Sequence, residues 1–320
     1  MKTFRWLAAL VAGLALATHA AAQAYPNKPI RIIVAYQAGQ GTDVVTRLVA
    51  EKLSHALGQP VVIDNKPGAG ANIGTEAAAR SAPDGYTLTM GTNATHGTNQ
   101  FLYDKLPFDP EHDFEPIVLV GTFPMGIAAN PAFPGNSIAD IIAISKSTPK
   151  GADMAMPSTT ARIVFELLKS QSRAPLFGVP YKGSSTAVAE AVGGQVPLVI
   201  DTVTALRPHV AAGKLKPIAV TSAKPTELMP GVKPVAEQGL PGFEVIAWNA
   251  LYAPKGTPKE IVDRLNAEVN KILAQPETRQ KLKELGFDVG GGSPAQLAEF
   301  GAAERKKWGP LIKDAGMRAG

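Results

Sequence analysis

Four short loops rich in glycine and hydroxyl residues are the segments whose chemistry points to a small ligand. They read AYQAGQGTD (residues 35–43), TNATH (92–96), STT (158–160) and GSS (183–185). Each follows a predicted strand and precedes a predicted helix, so unpaired N–H groups at the helix start favour an anion. One such loop is explained by helix capping alone. Four of them predict a cleft lined by N–H and O–H donors.

The first loop contains two residues with two compatible roles. Thr42 or Asp43 can cap the following helix with its side chain while neighbouring N–H groups stay free for a carboxylate. Tyr36 ends the preceding strand, where an aromatic side chain usually packs in the core. The loop is therefore a candidate ligand site, and Tyr36 by itself adds little to that hypothesis.

Arg162 lies in the first turn of a predicted helix, where the helix dipole disfavours a cation. Two interpretations remain open at this point. The side chain is either an ordinary exposed arginine or the partner of an acidic ligand group.

Strands and helices alternate along the chain. Apolar runs of strand length and helical periodicity predict the following elements. The predicted strands are 30–36, 61–64, 86–91, 117–120, 126–129, 152–156, 177–181, 197–201, 215–221 and a long extended run at 243–253. The predicted helices are 43–57, 72–81, 137–146, 160–170, 185–192, 205–212, one starting at Pro258, 276–285 and 294–315. Capping boxes are predicted at Ser137–Asp140 and Thr257–Glu260.

This alternation predicts an α/β fold of two lobes, each a mainly parallel sheet flanked by helices. The length also suggests about two domains. No linker separates two halves, so we expect residues 25–122 and 247–320 to form lobe 1 and residues 123–246 to form lobe 2. The extended crossings at 120–129 and 243–253 would be the hinge. A ligand cleft is then expected between the lobes, at strand carboxyl ends.

Residues 1–24 are predicted to be a cleavable export signal. Lys2 and Arg5 precede a 12-residue apolar run at 6–17, and small residues offer cleavage after Ala22 or Ala24. The run is too short to span a membrane, which takes roughly 20 apolar residues. No cysteine follows for a lipid anchor. We therefore expect an exported, periplasmic protein.

Composition excludes several classes of function. The chain has no cysteine, which excludes thiol catalysis and cysteine-ligated metals. Without Lys2 and Arg5, 30 basic and 27 acidic residues remain, a net charge of +3. These charges are scattered, so no nucleic-acid-binding face is predicted.

Signatures of enzymes are mostly missing. The glycines at 68–74 have the wrong spacing for a dinucleotide fingerprint, and the chain has neither a phosphate-binding loop nor a nucleophile elbow. The histidines lack metal-ligand spacing, so no metal and no cofactor are predicted. Capture of a ligand is favoured over catalysis. A hydrolase using Ser184 or Ser185 remains an alternative.

Several longer segments resemble one family over nearly the whole mature chain. They are YPNKPIRIIVAYQAGQGTDVVTRLVAEKL, GQPVVIDNKPGAGANIGTEAAARSAPDGYTL, VPYKGSSTAVAEAVGGQVPLVIDT, GKLKPIAVTS and APKGTPKEIVDRLN. They are similar to the solute-binding proteins of tripartite tricarboxylate transporters, often called Bug proteins. The resemblance implies a periplasmic type II binding-protein fold that closes on an organic acid, and delivery of that acid to permease subunits in the membrane.

The resemblance also implies a set of ligand-binding residues, in which loop N–H and hydroxyl groups hold a carboxylate. With Arg162 kept as a separate candidate, the predicted residues are Tyr36, Gly41, Thr42, Asp43, Thr95, His96, Thr159, Thr160, Gly183, Ser184 and Asp201. The chain departs from the family pattern at Gln37 and Gln40, which place two extra polar side chains near the pocket. The ligand is therefore not copied from a relative.

The sequence thus predicts a monomeric periplasmic receptor for a small di- or tricarboxylate or an aromatic carboxylate. A ligand sensor that presents its closed form to a signalling receptor is the other interpretation of the same fold.

Overall fold

The computed structural model of the protein describes residues 25–148 and 151–318. The predicted export signal and its cleavage site lie outside the described residues. No described helix is long and apolar enough to cross a membrane.

Within the described residues, ten strands form the sheet framework. In chain order they are β1 (Ile30–Val34), β2 (Val61–Asn65), β3 (Thr87–Thr92), β4 (Phe114–Ala129), β5 (Met154–Met156), β6 (Gly178–Pro180), β7 (Leu198–Thr202), β8 (Lys216–Val220), β9 (Ile246–Pro254) and β10 (Asp288–Gly291).

The helices lie between these strands and at the end of the described chain. They are α1 (Gly41–Leu57), α2 (Asn72–Ala79), α3 (Asn99–Leu102), α4 (Ile138–Ser147), α5 (Thr159–Ser172), α6 (Ser184–Val192), α7 (Val203–Ala211), α8 (Lys259–Ala274), α9 (Pro276–Leu285) and α10 (Pro294–Asp314). Short helical turns of other types occur at Ala69–Ala71, Ala94–Thr98 and Val235–Gln238.

The strand order is β2-β1-β3-β9-β4-β7-β5-β6, with β8 and β10 also paired to β4. β1 is parallel to β2 and β3, and β5 is parallel to β6 and β7, so each half contains three parallel strands. β4 and β9 run antiparallel to each other between the two halves. The two-lobed α/β arrangement predicted from the sequence is confirmed. The lobe boundaries themselves stay a prediction.

β4 is the largest departure from the predicted elements. Two strands were expected, at 117–120 and 126–129, but the chain stays extended over all 16 residues. Its first part pairs with β9 as far as Pro124↔Ile246, and its last part, from Met125, pairs with β7 and β8. The segment between the expected strands is held straight by β9, which is more than 100 residues away, so local sequence could not reveal it.

Helix starts are the other point of comparison. The Ser137 half of the first predicted box is confirmed, because its hydroxyl accepts a hydrogen bond from the Asp140 N–H at 3.1 Å. The Asp140 carboxylate accepts from the Asn136 N–H at 2.8 Å. The Thr257–Glu260 capping box is wrong. Helix α8 starts at Lys259 without a side-chain cap, and the Thr257 hydroxyl donates to the Pro254 carbonyl at 2.8 Å instead. β10 and the helical turns at 94–102 were not predicted.

Helices pack their apolar faces on both sides of the sheet. Val45, Val49 and Leu53 of α1 are buried in one cluster with Ile30 and Ile32 of β1. On the other half, alanine and valine residues of α6 pack against β5 and β7. This packing fixes helix starts above the carboxyl ends of the parallel strands, which is where the candidate site lies.

Candidate ligand-binding cleft

A small cavity lies where the two halves of the molecule meet. Its volume is about 30 Å³, room for about two water molecules. Two larger open grooves, of about 930 and 1020 Å³, lie elsewhere, and neither is lined by a residue predicted to bind ligand. The first is lined in part by Thr122, Phe123 and Pro124 of β4. The residues lining the small cavity are Tyr36, Gln40, Gly41, Thr42, Thr92, Asn93, Phe123, Met125, Ser158, Thr160, Ser184, Asp201, Thr202, Ala247 and Trp248.

Four helices begin at this cavity, and they fall into two pairs. The starts of α5 and α7 are capped, because Ser158 accepts from the Ala161 N–H and Thr202 accepts from the Ala205 N–H, both at 3.2 Å. The starts of α1 and α6 have no side-chain cap. Their first-turn N–H groups and helix dipoles are therefore available to an anion, one helix from each half of the molecule.

Asp201 supplies the charged group of the cavity lining. It lies on β7 and is only 2% exposed. Its Oδ1 accepts a hydrogen bond from the Thr202 N–H at 2.7 Å, while its Oδ2 has no hydrogen-bond partner within the described part of the chain. Burial raises the pKa of Asp201 to about 6, although the Ser184 hydroxyl and the Thr202 N–H and hydroxyl act in the lowering direction. Among the described residues, none of those lining the cavity is a lysine, arginine or histidine.

Asn93 offers the complementary unpaired group. Its side chain is buried, and its Oδ1 accepts a hydrogen bond from the Thr160 hydroxyl at 3.2 Å. That bond orients the amide so that Nδ2 is a donor, and Nδ2 has no partner among the residues that the structure describes. The cavity thus holds one unpaired donor and one unpaired acceptor.

Gln40 joins the two halves across the cavity. Its Nε2 donates to the Ser184 hydroxyl at 3.1 Å, and its Oε1 accepts from the Gln37 N–H in its own loop at 3.1 Å. Close approach is possible because residue 41 is glycine. A Cβ on Gly41 would lie 3.3 Å from the Thr202 hydroxyl oxygen. The structure is therefore a closed one, with direct hydrogen bonds between the halves.

Tyr36 and Thr42 line the cavity, and both are already hydrogen-bonded. The Tyr36 hydroxyl lies 2.8 Å from the Thr92 hydroxyl, and Asn249 Nδ2 donates to the Thr42 hydroxyl oxygen at 3.2 Å. Burial raises the pKa of Tyr36 to about 12, so its phenol is neutral. Tyr36 and Thr42 therefore line the cavity as neutral side chains that are held by hydrogen bonds.

Asp43, Thr95 and His96 do not line the cavity. The Asp43 carboxylate accepts hydrogen bonds from Gly39, Arg47 and Asn65. Thr95 hydrogen-bonds to His96 Nδ1 at 2.9 Å, and the imidazole stacks on Tyr252 with ring centroids 4.1 Å apart.

His96 is a neutral core residue in this structure. Burial, and then the neighbouring charge of Arg305, lower the pKa of His96 to about 3. The imidazole fits because residue 91 is glycine. A Cβ on Gly91 would lie 2.6 Å from its Nδ1.

Thr159, Arg162 and Gly183 also lie outside the cavity lining. The Thr159 hydroxyl lies against Gly70, and Gly183 is the N-cap of α6 beside the Gln37 side chain. Arg162 donates to the Arg318 carbonyl in an exposed position. The structure therefore brings six of the predicted residues to the cavity: Tyr36, Gly41, Thr42, Thr160, Ser184 and Asp201. Which of the twelve contact a ligand stays a prediction.

Sequence reasoning did not select several residues that line the cavity. Asn93 and Ser158 lie within loops that it did select, and the strand-to-helix position of Thr202, next to Asp201, was a usable signal. Phe123, Met125 and Ala247 come from β4 and β9, where only the long-range pairing of the strands shows that they face the cavity.

The family of the chain follows from its sequence matches. Residues 45–317 match the model of the tripartite tricarboxylate transporter family receptor, TctC. The chain belongs to this receptor family.

Two curated relatives illustrate the match. A UPF0065 protein in the tcbD-tcbE intergenic region of Pseudomonas sp. strain P51 is 34% identical, over 97% of this chain and 95% of its own length. Protein BugT of Bordetella pertussis is 33% identical, over 96% of this chain and 95% of its own length. The similarity therefore extends over nearly whole chains.

Solved structures confirm the fold of a periplasmic binding protein. Rpa4515 of R. palustris, solved with adipate, superposes with a TM-score of 0.89 at 34% identity, covering 92% of this chain and 99% of that chain. The periplasmic binding protein BugD gives 0.87 at 34%, with 92% and 99% covered. MatC of Rhodopseudomonas palustris, solved with malate, gives 0.85 at 32%, with 90% and 100% covered.

Proposed function

We propose that this protein is a monomeric periplasmic receptor that captures a small organic acid and delivers it to the membrane permease of a tripartite tricarboxylate-type transporter. Removal of residues 1–24 during export would leave the receptor free in the periplasm. Support comes from the receptor family to which the chain belongs and from two similar proteins whose structures hold adipate and malate.

One observation carries the choice of an acid as ligand. The uncapped starts of α1 and α6 face the same cavity from opposite halves, and the lining contains no cationic side chain. Such a site would neutralise a carboxylate with N–H groups, hydroxyls and helix dipoles instead of a salt bridge. Each helix start would hold one acidic end or one face of the ligand.

Capture requires the lobes to open. A cavity of about 30 Å³ holds about two water molecules, which is less space than an acid of several carbon atoms occupies. We propose that residues 25–122 with 247–320 and residues 123–246 move as two bodies about β4 and β9. Ligand binding then stabilises the closed state by its greater affinity for that state.

The test is a thermal-shift screen followed by calorimetry on the processed protein. A carboxylate at about 100 times its Kd should stabilise the protein by roughly 2.7 kcal/mol. Mono-, di-, tri- and aromatic carboxylates form the panel, with neutral sugars and amides alongside. If only sugars or amides shift the melting temperature, the proposed ligand class is wrong.

A pair of glycine variants ties binding to the cavity. Gly41→Val should abolish the ligand-induced shift, because its side chain would occupy the approach to Thr202. Gly193→Val, at the end of α6 away from the cavity, is the control and should keep the shift. Mass analysis of the recovered acid checks that binding involves no turnover. Release to the permease is tested by uptake into vesicles that contain the permease subunits.

A further inference from the structure

Two buried polar atoms of residues that line the cavity have unmet hydrogen-bonding capacity of opposite kinds. Asn93 Nδ2, from the loop after β3, is a donor, and Asp201 Oδ2, on β7, is an acceptor. Both side chains are at least 98% buried. Leaving such groups unpaired costs free energy, so the bound state is expected to pair both.

The two atoms make different demands on a ligand. A carboxylate oxygen can accept a hydrogen bond from Asn93 Nδ2, and the uncapped starts of α1 and α6 provide further donors for the same group. Asp201 Oδ2 in its ionised form needs the reverse. It has to receive a hydrogen bond, and a second carboxylate placed against it would be repelled.

Among the described residues, none makes a hydrogen bond to Asp201 Oδ2. The Thr202 N–H is taken by Oδ1. The Ser184 hydroxyl, which accepts from Gln40, lies close enough to the carboxylate to act in lowering its pKa, but it makes no hydrogen bond to Oδ2. Tyr36 is the second titratable residue of the lining, and its hydroxyl is paired with Thr92. Among the described residues that line the cavity, Asp201 is the one with a charged side chain.

We propose that Asp201 is a specificity-determining residue, which selects acids that carry a hydroxyl or ammonium group beside a carboxylate. The ligand would direct this donor to Asp201 Oδ2 and its carboxylate to Asn93 and the helix starts. This inference rests on the proposed function and names the substrate class within it, 2-hydroxy or 2-amino dicarboxylic acids rather than unsubstituted ones.

A site built to pair a substrate hydroxyl discriminates strongly against an analogue that lacks it, because its own buried group is then left unpaired. A methylene or fluorine in place of the donor would leave Asp201 without a partner in a closed cavity. Discrimination of at least about tenfold in Kd is expected from one such unpaired group.

The experiment compares four probes of nearly equal size on the wild-type protein: malate, aspartate, 2-fluorosuccinate and succinate. Fluorine occupies the position of the hydroxyl but cannot donate a hydrogen bond. Calorimetry at pH 7.5 should show malate or aspartate binding at least about tenfold more tightly than both 2-fluorosuccinate and succinate. The better of the two donors identifies the hydroxyl or the ammonium group as the natural one.

Asp201→Asn is the matched variant. It keeps the shape and an acceptor for the Thr202 N–H, but it presents an amide N–H where Oδ2 stood. Its preference for the better donor probe over 2-fluorosuccinate should fall to within about threefold. Asp64→Asn, which removes a carboxylate from the edge strand β2, is the control and should keep the full preference.

The outcomes separate the two levels of the hypothesis. If all four probes bind the wild type equally, Asp201 does not select among them and the inference is overturned. The inference is also overturned if succinate binds best and more tightly at pH 5 than at pH 7.5, because Asp201 then acts as a protonated donor to a carboxylate. If none of the probes binds and no acid in the wider carboxylate panel shifts the melting temperature, the proposed function itself has failed.

Discussion

Asp43 and Asp201 are two carboxylates of equal burial with opposite surroundings. Each is 2% exposed and each lies at a strand-to-helix junction beside the cleft. Asp43 Oδ2 accepts from Arg47 Nε at 2.9 Å and from the Gly39 N–H at 2.8 Å, and its Oδ1 accepts from Asn65 Nδ2 at 2.9 Å. Asp201 has one such bond and an unpaired oxygen.

The difference appears directly in their ionisation. Burial acts to raise the pKa of Asp43, but its hydrogen bonds to Arg47, Gly39 and Asn65 outweigh burial and hold it below its usual value. The pKa of Asp201 is raised to about 6 because burial dominates there. Burial alone therefore does not say what a carboxylate is for. A fully paired one holds the loop together, and an unpaired one at a cavity is available to a ligand.

The largest expected effect comes from removing the paired carboxylate. Asp43→Ala should lower the free energy of unfolding by about 3 to 4 kcal/mol, because three hydrogen bonds to a charged acceptor are lost together. Urea denaturation at pH 7 measures it. Asp43→Asn, which keeps the shape and removes the charge, should cost less. A loss below about 1 kcal/mol for Asp43→Ala would show that the paired carboxylate of Asp43 does not stabilise the fold as expected.

Removing the unpaired carboxylate of Asp201 should instead raise the free energy of unfolding. Asp201 is harder to ionise in the folded protein than in the unfolded chain, where its pKa is about 3.9. Its ionisation therefore destabilises the fold, progressively as pH rises from about 4 through about 6, and Asp201→Asn removes that loss. The variant should be more stable than the wild type by up to about 3 kcal/mol at pH 7.5.

The pH dependence provides the control for this second prediction. At pH 4 Asp201 is nearly neutral in the folded protein and about half ionised in the unfolded chain. Its ionisation then changes the stability by only about 0.5 kcal/mol, so the variant and the wild type should have nearly equal stability. The stabilising contribution of Asp43 is lost only as the pH falls below the usual pKa of an aspartate. This loss is the same in the variant and in the wild type, so it cancels in their comparison. A stability gain of equal size at pH 4 and pH 7.5 would show that packing, not ionisation, causes it.

These two aspartates also show how far sequence reasoning reaches. Both were selected as ligand residues because they stand in strand-to-helix loops, which the alternating apolar pattern located well. Their hydrogen-bond partners could not be predicted from the sequence. Asn65 lies 22 residues from Asp43, and the absence of a partner for Asp201 Oδ2 is a property of the assembled cleft. Local patterns identify loops, whereas the pairing that distinguishes the two roles depends on tertiary contacts.

Strand β4 illustrates the same limit in the backbone. The alternation of strands and helices was sufficient for the two-lobed fold and for most helix bounds within two residues. It split β4 into two strands, because the pairing of Gly121 with Asn249 cannot be seen from nearby residues. The apolar cavity residues Phe123, Met125 and Ala247 were missed for that reason.

A smaller effect is expected at the hydrogen bond beside Asp201. Gln40→Ala removes the donor to Ser184, a hydrogen bond between the two halves of the molecule that the proposed opening would break. Loss of about 1 kcal/mol of closed-state stabilisation should weaken ligand binding about fivefold. Calorimetry measures the affinity, and small-angle scattering should show a more expanded free protein. Gln280→Ala, on α9, is the control. Unchanged affinity together with unchanged scattering would show that the closed state does not depend on this bond.

The smallest effect is expected at Arg162, and it bears on whether Asp201 truly lacks a cation. Asp43 has Arg47, while the guanidinium of Arg162 is engaged with the Arg318 carbonyl outside the cavity lining. Arg162→Ala should therefore leave the Kd of an organic acid within about twofold, and its salt dependence unchanged. A tenfold loss of affinity would place Arg162 at the ligand in the bound state. The site would then contain a salt bridge, and the contrast between a paired and an unpaired aspartate would no longer explain how this cleft holds an anion.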